Sequence, residues 1–402
     1  MWIRHRSAYP RSAMYLYQIN YYAFIYFRVV LRGYASGTLR WRIYKPKQLP
    51  FFTTPYYIMV NISKKKPSYL ISKDLRVYLR KYQRDTQLLL KYDDLMQYSQ
   101  AFPLMDKKGQ DTLWLTVIYP QHVIQELNHN LANVYAVLKT GGEATVMEHL
   151  NIDRIDFCSF GNSNPFRIRV INRFNDNYDY FYVKRADASR LYGLELEHLL
   201  SPNRINFLVH KETLIEEHIA GIPGDAFIKN YLTRPELNKV RLAKEFIKFN
   251  ERCFIRLLGD MRSYNYVIDI TPDFDNEQYR VRAIDFDQQS FEGQRKMYLP
   301  QFFKENNAIV ALCTQFINLE TAKQYQYEER TLLARRLKSA RYRIKDLVDA
   351  MRKDVISTPE KILELKTELA KYHKREDFLK CKNMGDIVRM QLKVILSKIK
   401  TR

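Results

Sequence analysis

Residues 253–287 constrain this chain more than any other stretch. An apolar run opening at Cys253 ends in Gly259-Asp260, and Asn265 follows five residues after that aspartate. A turn-rich segment, Thr271–Gln278, leads to a second run, Val281–Ile284, closed by Asp285. The pattern reads as two short strands flanking a turn, each with an acidic residue where strand gives way to loop. An Asp, an Asn five residues on and a second Asp across a hairpin form a compact phosphoryl-transfer site. One carboxylate orients and deprotonates a hydroxyl, while the amide and the other carboxylate hold Mg²⁺. Turn chemistry also favours Asp at strand ends, so the surroundings decide between the two uses.

A net charge of +22 on 402 residues points first to nucleic acid or an anionic membrane. Its distribution weakens that reading. Thirteen of the 66 Lys and Arg, and none of the 44 acidic residues, lie before Asp74. The rest of the chain has the modest excess of a protein that handles a nucleotide, and no nucleic-acid partner is expected. Cys158, Cys253, Cys313 and Cys381 are scattered, with no CxxC spacing. A zinc site or disulfide framework is therefore not expected, and a reducing cytoplasm fits best. The acid-free residues 1–58 are crowded with Tyr, Phe and Arg. Their uncharged run Ser12–Phe27 is interrupted by Gln18 and Asn20, and is short for a span of about 20 apolar residues. Three readings stand: a leader upstream of a true start at Met59, a transit peptide, or a membrane-surface anchor, the single route to a membrane here.

Residues 59–145 read as a helical extension. Tyr69–Tyr98 sets Leu75, Tyr78, Leu79, Tyr82, Leu88, Leu89 and Leu95 at helical steps. Thr112–Tyr119 reads as a strand, and Gln121–Lys139 as a helix closed by Gly141-Gly142. Strands then follow at Asn151–Phe160, Phe166–Phe174 and Tyr178–Lys184, a meander with turns at Gly161–Pro165 and Asn175–Asn177. A helix over Asp187–Leu200 and two runs, Ile205–Val209 and Thr213–Ile219, precede a glycine-containing link, Ala220–Asp225. Thr233-Arg-Pro-Glu236 has the form of a capping box opening a helix over Leu237–Asn250. Beyond Gln294 the pattern is helical: Leu299–Ile317, Glu320–Ile356, a fresh start at Ser357-Thr-Pro-Glu360, and Met384–Ile399. The basic stretch Arg330–Arg352 reads first as a solvated helix face.

Taken in this order, the chain resembles the protein-kinase-like fold, in its small-molecule branch of aminoglycoside phosphotransferases and choline kinases. The resemblance rests on Val183-Lys184, the hinge-like Leu214–Asp225, Gly259-Asp260 through Asn265, and Ala283-Ile-Asp285-Phe-Asp287, within residues 150–320. It implies an α+β, two-lobed fold: a helical extension over 59–145, a small lobe over 146–227, and an enlarged helical lobe over 228–402. It also implies ATP and Mg²⁺ as cofactors, and as acceptor the hydroxyl of a sugar, aminoglycoside-like compound or amino alcohol. Lys184 would meet the nucleotide phosphates, steadied by a helix glutamate. Steps of 100° put Glu195 on the side of Leu191, Leu194 and Leu199 and turn Glu197 away, so Glu195 is the expected partner. Asp260 would serve the acceptor hydroxyl, and Asn265 with Asp285 the metal. The backbone around Glu216, Glu217 and Ile219 would face adenine, with Gly161 and Ser163 in the turn over the phosphates. Leu258, Ser263-Tyr264 and Asp287 depart from the family pattern, which bears on branch and substrate. The alternative is an inactive pseudokinase scaffold that binds protein or nucleic acid through its basic C-terminal helices.

Overall fold

The computed structural model describes residues 66–140, 149–273 and 276–400. The readings of residues 1–58, the Met59 start and the Gly141-Gly142 stop lie outside these. The chain enters through helix α1 (Lys73–Lys81), whose N-cap Ser72 accepts from Leu75 N at 3.1 Å. The single helix expected over Tyr69–Tyr98 is broken. Gln83 adopts a positive φ of 57°. The next residues then pair as backbone with a sheet edge: Val209 N donates to Arg84 O at 2.7 Å, and Thr86 N to Val209 O at 3.1 Å. These edge bonds outweigh the local periodicity, and only a single turn, α2 (Tyr92–Leu95), re-forms. A hairpin follows, β1 (Gln100–Met105) and β2 (Asp111–Ile118). β1 was not expected. It contains Pro103, which is tolerated because β1 is the outermost strand of its sheet.

Helix α3 (Gln121–Thr140) buries Leu127, Leu131, Val134 and Leu138, a stripe at helical spacing. The expected meander is present as β3 (Leu150–Phe157), β4 (Phe166–Asn172) and β5 (Tyr178–Arg185), all antiparallel. Helix α4 (Ala188–Leu200) comes next, N-capped by Asp187, then β6 (Phe207–His210) and β7 (Thr213–Glu217). The strands form one seven-stranded sheet, ordered β1-β2-β3-β4-β5-β7-β6. Its two faces are sorted by the two-residue period. Val183, Leu208 and Ile215 join the core under α3, whereas Phe207, Val209 and Leu214 join the core that holds the α4 leucines.

The link then forms a two-residue strand, β8 (Ile222–Pro223), and helix α5 (Gly224–Asn230). Helix α6 (Lys239–Arg256) corrects two expectations. Its N-cap is Asn238, whose Oδ1 accepts from Arg241 N at 3.1 Å, so Thr233–Glu236 does not cap it. The run from Cys253 is its last turn rather than a strand, ended by Leu257 in the left-handed region. The hairpin itself is β9 (Tyr266–Asp273) and β10 (Asn276–Ala283), with β8 on its other edge. After three 3-10 turns come α7 (Asn307–Phe316), α8 (Leu319–Ser339), α9 (Arg341–Met351), α10 (Pro359–His373) and α11 (Met384–Lys400). Among the described residues no helix is long and apolar enough to cross a membrane.

Gly224 sets how closely α5 can approach the loop before β9. A Cβ there would lie 2.4 Å from the Tyr266 ring and 2.5 Å from Ser263 O. Gly224→Ala is expected to cost about 1–3 kcal/mol through backbone displacement, read as a lower denaturation midpoint.

Candidate active site

Lys184 and Glu216 meet because two antiparallel strands fix their faces. Lys184 lies opposite Leu214, and Glu216 is two residues beyond Leu214 on the same side. Lys184 Nζ donates to Glu216 Oε2 at 2.6 Å, and both side chains are buried. The expected Lys184–Glu195 pair is therefore not formed. Glu195 points to the other end of α4's buried surface, where it accepts from Tyr78 Oη, from Arg84 Nε at 2.8 Å and from Arg343 Nη2 at 2.8 Å. Glu197 is spent on Arg256. The helical projection placed Glu195 inward and turned Glu197 away, but almost all of α4 is buried and Glu197 is buried too, so the projection does not separate them.

The position facing the sheet is Arg190, which the sequence reading passed over. It lies in the first turn of α4 and is 1% exposed. Its Nε and Nη2 both donate to Glu216, the latter at 2.8 Å. Its Nη1 donates to Asp285 Oδ1 at 2.9 Å and to Asp287 Oδ1 at 2.7 Å. Burial alone would raise the Glu216 carboxyl, but Arg190 and Lys184 outweigh it and hold the group down at about 2. The Lys184 amine is pushed below its ordinary value by burial and by the facing Arg190. Asp285 is raised, first by burial and then by the neighbouring Asp287, against the pull of Arg190.

The hairpin joins this cluster to Asp260. Ala283 pairs with Tyr266, so Asn265 and Ile284 stand opposite each other, and Ile284 N donates to Asn265 O at 3.0 Å. Asn265 Nδ2 then reaches back to Asp260 O at 2.7 Å. Asp260 occupies the left-handed region (φ 57°) and is pinned by Asp260 N donating to Met297 O at 3.1 Å. Its half-buried carboxylate accepts from Arg262 Nε at 2.8 Å. Burial raises its pKa, more than Arg262 lowers it. The structure thus links Lys184, Glu216, Asp285, Asn265 and Asp260 through bonded or adjacent groups, with Arg190 as the added member.

The remaining expected residues lie at the margins. The β7 ladder ends at Glu217, so the backbone of Ile219 is beyond it, while Glu217 itself bonds to Asn206. Gly161 and Ser163 are in the β3–β4 turn. Arg185 N donates to Ser163 O at 3.4 Å, which draws that turn toward the Lys184 end of β5. A Cβ on Gly161 would meet Pro165 Cδ at 2.8 Å, so this glycine serves the turn itself.

The donors suit a hard cation. Asp285 Oδ2 and Asn265 Oδ1 make no hydrogen bond among the described residues, and both are oxygen donors of the kind Mg²⁺ takes while retaining waters. Among the described residues no group of three or more His, Cys, Asp or Glu could hold a metal ion.

No protein-family model matches the chain, and no curated protein does. Among solved structures it is similar to the autoinhibited serine kinase domain of the giant muscle protein titin, with 13% sequence identity and a TM-score of 0.26. That similarity covers 48% of this chain and 80% of the titin chain.

Proposed function

We propose that this chain is a kinase-like phosphotransferase that moves the γ-phosphate of ATP to the hydroxyl of a small molecule, with Mg²⁺, in a two-lobed arrangement. One observation carries the reading: two hydrogen-bonded sets, Lys184–Glu216–Arg190–Asp285 and Asn265–Asp260, meet at the end of the hairpin, where Ile284, next to Asp285, donates its N–H to Asn265 O. Bound Mg²⁺ would offset the charge of the phosphates, held by Asp285 Oδ2 and Asn265 Oδ1. Lys184 and Arg190 supply fixed positive charge beside it. Asp260 accepts the acceptor's proton, and its raised pKa brings it nearer the pH at which a base works best. The backbone beyond Glu217 is free of the ladder and suits the edge of adenine. Four unpaired thiols fit a reducing cytoplasm.

Mg·ATP at about a hundredfold excess over Kd is expected to stabilise the protein by about 2.7 kcal/mol, seen as a higher Tm. Asp285→Ala should abolish that shift. An unchanged shift in the variant, or none in the wild type, would remove nucleotide chemistry from this site.

A second reading, an inactive scaffold, is favoured by one surface. Helices α8, α9 and α11 line an open groove of about 760 Å³ whose lining holds five basic residues, among them Arg341 and Arg389, one acidic residue, Asp349, and apolar residues including Ile344 and Leu392. Tight binding of an anionic polymer with steep salt dependence, and no response to ATP, would favour the scaffold.

A further inference from the structure

Arg190 is held too firmly to be a passing surface charge. Its neighbour Ser189 donates from Oγ to Gln289 O at 2.7 Å. Gly193, one turn on, lets α4 lie against the loop so closely that a Cβ there would come within 3.0 Å of Phe286 Cβ. The start of α4 and residues 286–289 therefore pack as one piece, and the guanidinium projects into the seam between them and β7.

Donor and acceptor accounting shows what that guanidinium excludes. Asp285 Oδ1 accepts from Arg190 Nη1 and from Asp287 N at 3.0 Å, which fills both of its lone-pair directions. Asp287 Oδ1 is also taken by Arg190, and Asp287 is buried. A cation gripping both oxygens of Asp285, or bridging Asp285 Oδ1 to Asp287 Oδ1, would have to displace the arginine. Asp285 Oδ2, Asn265 Oδ1 and Asp287 Oδ2 remain; with both Oδ1 atoms held by Arg190, no pair of oxygens is left to bridge a second ion, and the first two are assigned to one ion. Protein kinases use two Mg²⁺ ions at the equivalent step.

Resting on the phosphotransferase reading, we propose that Arg190 is a built-in second cation, standing between Asp285 and Asp287 so that the site takes one divalent ion per nucleotide rather than two. Arginine suits the task because it stays charged and its planar fork serves three carboxylates at once. It also makes the position of the 285–287 loop independent of a second metal, because the same side chain ties that loop to α4 and to Glu216.

The test counts ions. Mn²⁺ is titrated into the full chain with a non-hydrolysable ATP analogue, and free Mn²⁺ is followed by electron paramagnetic resonance. The wild type is expected to bind one Mn²⁺, Arg190→Gln two, and Arg190→Lys one, each variant first shown to be folded by circular dichroism. Asp287→Asn should still bind one ion, with affinity changed by no more than about tenfold, the low end for a group outside the coordination sphere. Two ions on the wild type, one on folded Arg190→Gln, or loss of the ion from Asp287→Asn would each overturn the inference. If Arg190→Gln does not fold, the wild-type count and Asp287→Asn decide. Two ions on the wild type would leave the phosphotransferase reading standing, whereas a wild type that binds neither Mn²⁺ nor the analogue overturns both.

Discussion

Asp260→Asn is expected to lower phosphoryl transfer by about 10²–10⁴-fold, the usual weight of a general base, while Mg·ATP binding stays nearly unchanged. The substitution keeps the size of the side chain and an oxygen for Arg262, and removes the ability to take a proton. The same variant should be more stable than the wild type at neutral pH. The folded state raises the pKa of Asp260 above its ordinary 3.8, chiefly by burial. A raised carboxyl binds more protons when folded, so its stability contribution is full below the ordinary value and is lost as pH rises through the folded one. At pH 7 the ionised carboxylate opposes folding, and Asn removes that opposition. Steady-state ADP release and calorimetry at pH 7 and below pH 4 check both halves, with the gain in Tm vanishing at the lower pH. Lower activity with higher stability excludes misfolding as the cause. Wild-type turnover by Asp260→Asn would take the base role away from this residue.

Glu195→Ala should show the opposite behaviour. Glu195 is completely buried and answers Arg84 and Arg343 as well as the Tyr78 hydroxyl. Removing it strands two guanidinium groups, and breaking such a buried set costs about 3–5 kcal/mol. A large fall in denaturation midpoint is expected, with the KM for ATP essentially unchanged in the folded protein. Burial would raise the Glu195 carboxyl, yet the two arginines hold it below its ordinary 4.5. Its contribution is therefore present above the ordinary value and lost as pH falls through the lowered one, so the variant should also lose part of the wild type's acid sensitivity. A raised KM at wild-type stability would instead return Glu195 to the nucleotide.

Much of this was legible in the sequence where the signal is local. The meander, α4, α10 and α11 lie within a few residues of expectation, because period and turn chemistry specify them directly. The single helix expected over Glu320–Ile356, by contrast, is broken at Ala340 into α8 and α9, and the one expected from Leu299 begins at Asn307. That Asn265 stands beside the Ile284–Asp285 end was also readable, because a hairpin fixes its own register. Lys184's partner was not. Whether Glu216 or Glu195 reaches it depends on how β7 pairs with β5 and how α4 is rotated, and both are tertiary facts. Arg190 left one faint trace, a basic residue three positions after the Asp187 cap on a helix otherwise rich in leucine. The broken helix after Tyr82 was hidden for a similar reason: Leu88 and Leu89 continue its period, but the backbone is claimed by Val209, more than a hundred residues away.

The bonds that join α1 to the C-terminal helices also bear on how the chain is made. Lys81 and Tyr82 reach Asp346, and Lys353 reaches Asp74, across separations of 264 to 279 residues. At synthesis rates of about 5–20 residues per second, α1 waits roughly 13–55 s for those partners to leave the ribosome. Glu195 spends most of that interval without Arg343, so the burial of α4 cannot be completed until α9 arrives. Nascent chains halted before residue 340 should accordingly remain protease-sensitive around α4, and emergence of residues 341–400 should protect α1 and α4 together.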